Sequence, residues 1–61
     1  LSKRELEVLN SVAKGNKSEQ IAGEMNISVY TVRRHRQNII EKLKVTNSAE
    51  AVQTAFAMGI I

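Results

Sequence analysis

The segment from Ser28 to Lys44 constrains the fold more than any other part of this 61-residue chain. Its apolar residues recur at the spacing of one helical face, with Val32, Ile39 and Leu43 at positions i, i+7 and i+11. Ser28 stands directly before this pattern, where its hydroxyl can accept from the first free backbone N–H groups of a helix. The segment is therefore predicted to be one long helix that begins after Ser28 and buries one face.

The opposite side of this helix is polar and basic. At about 100° per residue, it carries Tyr30, Arg33, Arg34 and Gln37 and no apolar residue. Residues 1–28 hold four basic and four acidic residues, residues 29–44 hold five basic and one acidic, and residues 45–61 hold one acidic residue. The net charge of +3 is thus concentrated in this helix, which favours a polyanionic partner. A solvated basic face is the alternative, but arginine rather than lysine on the front favours recognition of a groove in DNA.

Helical signals mark three further segments. Ser2 and Glu5 have the spacing of a capping box, and Gly15 stands where a glycine would end the first helix. A short second helix is predicted to precede a turn over 26–28, so that a helix-turn-helix leads into the basic helix. The sequence therefore predicts an all-α, compact four-helix domain, with helices over about residues 2–13, 18–25, 28–44 and 48–58.

The predicted inward residues outside the basic helix follow the same periodicity. They are Leu6, Leu9 and Ala13, with Val8 and Val12 beside them, in the first helix, and Ile21, Ala22 and Met25 in the second. The fourth helix, capped by Asn47 or Ser48, has two apolar stripes, which are Ala49, Val52 and Phe56, and Ala51, Ala55 and Met58. A domain this small cannot bury both stripes, so one of them is expected either to contact a second copy of the chain or to remain exposed.

Several classes of function are excluded by what the sequence lacks. There is no Cys and only one His, so neither a disulfide nor a metal site is predicted. No nucleophile–base–carboxylate set and no glycine-rich phosphate loop is present, and we predict no catalytic residue and no cofactor. No apolar run approaches the roughly 20 residues of a membrane span, and a cytoplasmic location is expected. Because the chain begins at Leu1, we expect residues 1–61 to be one domain of a longer protein.

An ordered set of residues resembles a known family. The matching pieces are L-S-x-R-E-x-E-V-L from Leu1 to Leu9, Ala13-x-Gly15, Ile21-Ala22, Ile27-Ser28, Thr31-Val32-x-x-His35, Ile39 and Lys42-Leu43. In order and spacing they resemble the C-terminal LuxR-type (FixJ/NarL-like) helix-turn-helix domain of bacterial transcription regulators. Two positions depart from the family pattern: Met25 replaces a usual leucine, and Ser48 stands where an arginine often follows Asn47. The second departure removes a backbone contact that the arginine would provide.

The resemblance implies double-stranded DNA as the partner, with the third helix in the major groove, and an upstream sensory or receiver domain. By this analogy Arg33, Arg34 and Gln37 occupy the base-facing positions, the same residues that helical periodicity places on the polar front. Arginine bonds guanine O6 and N7 bidentately, and glutamine bonds adenine N6 and N7 in the same way. Arg33 and Gln37 are the stronger candidates for base edges, whereas Arg34 could instead contact a phosphate.

Other residues are candidates for the DNA backbone and for a homodimer. Phosphate contacts are expected around the start of the third helix and along its sides, from Lys17, Ser28, Tyr30, Thr31, His35 and Lys42. For His35 packing plus one hydrogen bond is the preferred interpretation, and Arg36 is expected to pack its stem and extend its head to solvent. The resemblance also implies that the fourth helix pairs with its counterpart, through Ala49, Val52, Gln53 and Phe56.

Two other functions use the same features. A protein-interaction module would bind an acidic partner through Arg33, Arg34 and Arg36. RNA binding would need exposed aromatic residues for stacking on bases, and Tyr30 is the only such candidate.

Overall fold

The computed structural model describes all residues from 1 to 61 and contains four α-helices and no strand. The helices are α1 (Lys3–Ala13), α2 (Ser18–Met25), α3 (Val29–Leu43) and α4 (Ser48–Ala57). The radius of gyration is 10.4 Å, and the molecule measures 29 × 19 × 18 Å along its principal axes. The all-α, four-helix prediction is confirmed, and the predicted bounds differ only at the ends. None of the four helices is both long and apolar enough to cross a lipid bilayer.

Side-chain caps begin three of the helices where the sequence predicts them. The Ser2 hydroxyl accepts from the Glu5 N–H at 3.2 Å, and a Glu5 carboxylate oxygen accepts from the Ser2 N–H at 2.9 Å, which completes the capping box. Ser28 caps α3 by accepting from the Thr31 N–H at 3.1 Å. Asn47 caps α4 by accepting from the Glu50 N–H at 2.8 Å. These short-range bonds explain why the helix starts could be located from sequence.

Helix α3 lies against all three other helices and supplies the centre of the core. Eight apolar residues are buried, which are Val8, Leu9, Ile21, Ala22, Val32, Ile39, Ala51 and Ala55. The predicted inward face of α3 is thus confirmed by Val32 and Ile39, and Leu43 packs against the same cluster. The prediction for Ala13 is wrong, because it is exposed at the end of α1. Met58, from the stripe that includes Ala51 and Ala55, is also exposed, at the C-cap of α4.

One ion pair joins α1 to α3 across 37 positions of the chain. The Lys42 ammonium donates to both carboxylate oxygens of Glu5, at 2.8 and 3.0 Å. Glu5 is 4% exposed, whereas the Lys42 side chain is 52% exposed. The carboxylate is therefore shielded from solvent, and the ammonium is partly hydrated. The hydrogen bond from Lys42 is the largest cause, and the bond from the Ser2 N–H the second, that lower the pKa of the Glu5 carboxyl from its ordinary value.

Candidate nucleic-acid interface

The exposed face of α3 carries the three residues predicted to contact bases. Arg33, Arg34 and Gln37 are all exposed, and Tyr30, at the start of the same face, is 68% exposed. A shallow groove of about 340 Å³ runs along this face and is lined entirely by polar residues, which are Arg34, Gln37, Asn38 and Glu41. Because Val32 and Ile39 anchor the opposite side of the helix in the core, this face is held outward by a rigid element.

The basic residues of α3 and its C-cap are of two kinds: some are exposed without a partner, and the others contact neighbouring helices. Arg33, Arg34 and Lys44 are exposed and make no ion pair within the chain. Arg36 and Lys42 make polar contacts with other helices. The two arginines available to an external anion are therefore those that sequence periodicity places on the front of the helix.

Arg36 joins α3 to the first residues of both α2 and α4. Its Nε and Nη2 donate to the Ser48 hydroxyl at 3.0 and 2.8 Å, and its Nη1 donates to the Ser18 hydroxyl at 2.6 Å. The expectation that its head extends freely to solvent is wrong, because these two hydroxyls hold the partly buried guanidinium against α2 and α4. A serine hydroxyl accepts these bonds whereas an arginine cannot, which gives Ser48 a structural role at the position where the family often has arginine.

Polar groups gather at the start of α3, where phosphate contacts are expected. The hydroxyls of Ser28 and Thr31 lie 2.9 Å apart and share a hydrogen bond, and both are at or near the surface. The backbone N–H groups of Val29 and Tyr30 have no acceptor within the chain. Free N–H groups at a helix N-terminus, together with hydroxyls, suit an anionic oxygen. Lys17 is also exposed, and it precedes the first residue of α2.

The other two predicted phosphate residues have different surroundings. His35 is half-buried, as expected for a packed side chain, and it forms no hydrogen bond with another residue of the chain. Lys42 contacts Glu5, and it would have to share its ammonium to reach a phosphate. These two side chains lie on the flank of α3 rather than on its exposed face.

Most of the residues predicted for the dimer interface lie on one exposed side of α4. Ala49, Gln53 and Phe56 are exposed, with Phe56 at 62%, whereas Val52 is half-buried against the core. Ala51 and Ala55, on the other stripe, are fully buried. One stripe therefore packs inside the domain and the other is mostly exposed, as expected from the sequence.

Some polar partners of these residues were missed at the sequence level. Ser18 and Glu5 contact residues 18 and 37 positions away, and no local pattern indicates such contacts. Glu41 is different, because its carboxylate accepts from the Gln37 amide at 3.3 Å and the i, i+4 spacing of the two residues could have indicated it. The structure brings no three of its His and Glu side chains together in a group able to hold a metal ion.

Comparisons with known proteins agree on one family. Residues 1–55 match the family described as bacterial regulatory proteins, luxR family. The chain is 40% identical over 60 residues to the uncharacterized response regulatory protein YgeK of Escherichia coli, and 39% identical over 61 residues to the response regulator protein VraR of Staphylococcus aureus. These alignments cover 98% and 100% of the chain but 41% and 29% of the relatives. The chain thus spans less than half the length of either relative.

A solved structure has the same fold. The structure of the transcription factor GerE superimposes with a TM-score of 0.93 at 30% sequence identity, over 97% of this chain and 88% of that one. A match of this extent includes all four helices and the turns between them.

Proposed function

The chain belongs to the luxR family of bacterial regulatory proteins, and from that premise we propose that it is the DNA-binding output domain of a transcription regulator. The observation that carries the proposal is the division of α3 into two faces. Its back is anchored in the core by Val32 and Ile39, and its front carries Arg33 and Arg34 without ion-pair partners. A helix of this kind fits the major groove of B-form DNA, which admits one α-helix.

The base contacts are assigned to the exposed face of α3. Arg33 and Gln37 contact base edges, and Arg34 contacts either a base edge or a phosphate. All three side chains are exposed, and none of them forms a hydrogen bond or an ion pair with another helix. The planar guanidinium suits guanine O6 and N7, and the amide suits adenine N6 and N7. Sequence preference therefore comes from Arg33 and Gln37, and from Arg34 if it contacts a base edge.

The phosphate contacts are assigned mainly to the start of α3. The free N–H groups of Val29 and Tyr30 and the hydroxyls of Ser28 and Thr31 form one anion-binding end of the helix, with Tyr30 and Lys17 as flanking contacts. His35 and Lys42 are secondary candidates, Lys42 because it already contacts Glu5. These contacts supply most of the affinity and little of the specificity.

A homodimer through α4 completes the proposal. Ala49, Gln53 and Phe56 present an exposed side with little charge, and Val52 lies at its base. Two copies paired through this side would place two α3 helices on one face of a duplex, so the binding site is a repeated half-site.

The rest of the regulator is proposed from the relatives. Both aligned relatives have response-regulator names and extend well beyond the matched region. We therefore assign the chain to a longer protein in which a sensory or receiver domain precedes it, and we place that protein in the cytoplasm with the DNA.

Selection of binding sites from random duplex DNA, run at two salt concentrations, tests the proposal. The expected result is one repeated half-site and an affinity that falls steeply with salt, because cations that contact phosphates displace counterions. Recovery of no preferred sequence would contradict the proposal. A module for an acidic protein would give that result, although it would have only Arg33 and Arg34 to use, since Arg36 is bonded to two serines.

A further inference from the structure

Glu41 is the one carboxylate on the exposed face of α3, and its position is unfavourable for DNA binding by charge alone. It lies in the same polar groove as Arg34, Gln37 and Asn38. A negative side chain on a face that approaches phosphates reduces the affinity for every duplex, whatever its sequence. A benefit that offsets this repulsion would have to come from a contact that the Glu41 carboxylate makes.

The contact is with a base-facing residue. The Gln37 Nε2 donates to the Glu41 Oε2 at 3.3 Å, one helical turn along the same face. An ionised carboxylate only accepts hydrogen bonds, so it selects one of the two orientations of the amide. The NH₂ group is held toward Glu41, and the carbonyl oxygen is turned away from it.

This orientation leaves a defined set of groups for DNA. The Gln37 amide retains its carbonyl oxygen and one N–H, which are the acceptor and the donor needed for adenine N6 and N7. Without Glu41 the long exposed side chain would rotate freely, and the amide could present either end to the groove. Ordering it before binding reduces the conformational entropy that is lost in the complex.

We propose that Glu41 is a positioning residue that holds the Gln37 amide in the orientation that reads adenine, and so sets specificity at one base position. The inference rests on the proposed DNA-binding function. It predicts that the carboxylate has two separable effects. Its charge lowers affinity for all duplexes, and its hydrogen bond raises discrimination at the base position that Gln37 contacts.

Binding of this chain to the selected half-site and to its single-base variants separates the two effects. Gln37→Ala first identifies the base position, as the one where discrimination is lost. Glu41→Ala should reduce the preference for adenine there by about 2- to 10-fold, the equilibrium effect of one hydrogen bond. It should also raise affinity for all duplexes. Glu41→Gln removes the charge and offers an amide that can both donate and accept, so it no longer selects one orientation of the Gln37 amide. It should raise affinity for all duplexes and lose the preference much as Glu41→Ala does.

The double variant Gln37→Ala/Glu41→Ala completes a double-mutant cycle, which shows whether Glu41 changes discrimination through Gln37. It should discriminate no worse at that position than Gln37→Ala alone. If Glu41→Ala raises affinity but discriminates like the original chain, Glu41 acts through charge only and the inference is wrong, with the proposed function intact. If the original chain shows no base preference at all, the proposed function and the inference fail together.

Discussion

At the scale of single residues, the two kinds of DNA contact are distinguished by what a substitution changes. Arg33 is exposed on the front of α3 and forms no ion pair within the chain, so its substitution should change the stability of the fold little. Removing a bidentate contact to guanine weakens binding only to duplexes that have this base pair. Removing a phosphate contact weakens binding to every sequence.

We expect Arg33→Ala to relax base preference at one position, at a cost of about 1–3 kcal/mol in discrimination. Competition binding among single-base variants of the half-site measures this. Lys17→Ala is the matched control, since it should weaken binding to all sequences alike and reduce the salt slope by about 1. Unchanged discrimination by Arg33→Ala, or a sequence-selective loss in Lys17→Ala, would refute the respective assignment.

Glu5 is a residue whose protonation should change stability. Its folded-state pKa lies below the ordinary value of a glutamate, because Lys42 and the Ser2 N–H donate hydrogen bonds to the charged form. The unfolded chain therefore binds this proton more readily than the folded one. The stabilisation is fully present above the unfolded pKa and is lost as the pH falls through the lower, folded value.

Urea unfolding at several pH values from about 6 down to about 2 tests this prediction. Glu5→Gln should be less stable than the original chain near neutral pH, and the difference should shrink toward the acid end. Glu7→Gln is the control, because Glu7 is exposed on the same helix and its contact with Arg4 is a surface pair at 3.6 Å. A difference that does not change with pH would show that the Glu5 carboxylate does not act through its charge.

At the scale of elements, the helices and their caps could be predicted from sequence because they depend on neighbouring residues. Ser28 and Thr31 are three positions apart, and the apolar stripe of α3 repeats every few residues. The interhelical contacts of Arg36 could not be predicted. The helical angle places Arg36 correctly toward the core, but only the folded arrangement shows that Ser18 and Ser48 face it there.

The same limit applies to the candidate site. Periodicity identifies Arg33, Arg34 and Gln37 as exposed, and the structure has them exposed. Their roles toward DNA remain predictions, because exposure does not specify a partner. The inward prediction for Ala13 is wrong, since a periodic pattern indicates a face but not how far along the helix that face is covered.

The junction of α2, α3 and α4 at Arg36 leads to a stability prediction. The Arg36 guanidinium donates from two nitrogens to Ser48 and from the third to Ser18. A lysine ammonium has a single nitrogen and cannot reproduce this geometry. Arg36→Lys should therefore destabilise the domain, and Arg36→Met and Ser48→Ala should be coupled by about 1 kcal/mol in a double-mutant cycle. Urea unfolding of the two single variants and the double variant measures the coupling. Purely additive effects would mean that the two bonds between Arg36 and Ser48 contribute nothing to stability.

At the scale of the whole molecule, the small core leaves one side of α4 available for association. A chain of 61 residues with eight buried apolar residues is expected to be only marginally stable on its own. Pairing through Ala49, Gln53 and Phe56 would remove apolar surface from water and stabilise both copies by mass action.

We expect Phe56→Ala to weaken the dimer by about tenfold or more, because burial of one such ring contributes about 1.5–3 kcal/mol. Sedimentation with and without a duplex that carries two half-sites measures it. Met58→Ala is the matched control, since Met58 is also 62% exposed but caps the end of α4 outside the proposed interface. Monomers on every duplex, with the original chain as well as the variant, would contradict pairing through α4.

The separation of the two faces of α3 has a consequence for how such a regulator can diverge. Arg33, Arg34 and Gln37 are exposed and contribute little to folding, while Val32 and Ile39 on the other face are buried. Substitutions on the front can therefore accumulate without unfolding the domain, and those on the back cannot. A duplicated gene could acquire a new target by changing a few front residues, and a designer could retarget the domain in the same way. The two faces of a single helix would then separately determine the stability of the domain and the choice of DNA target.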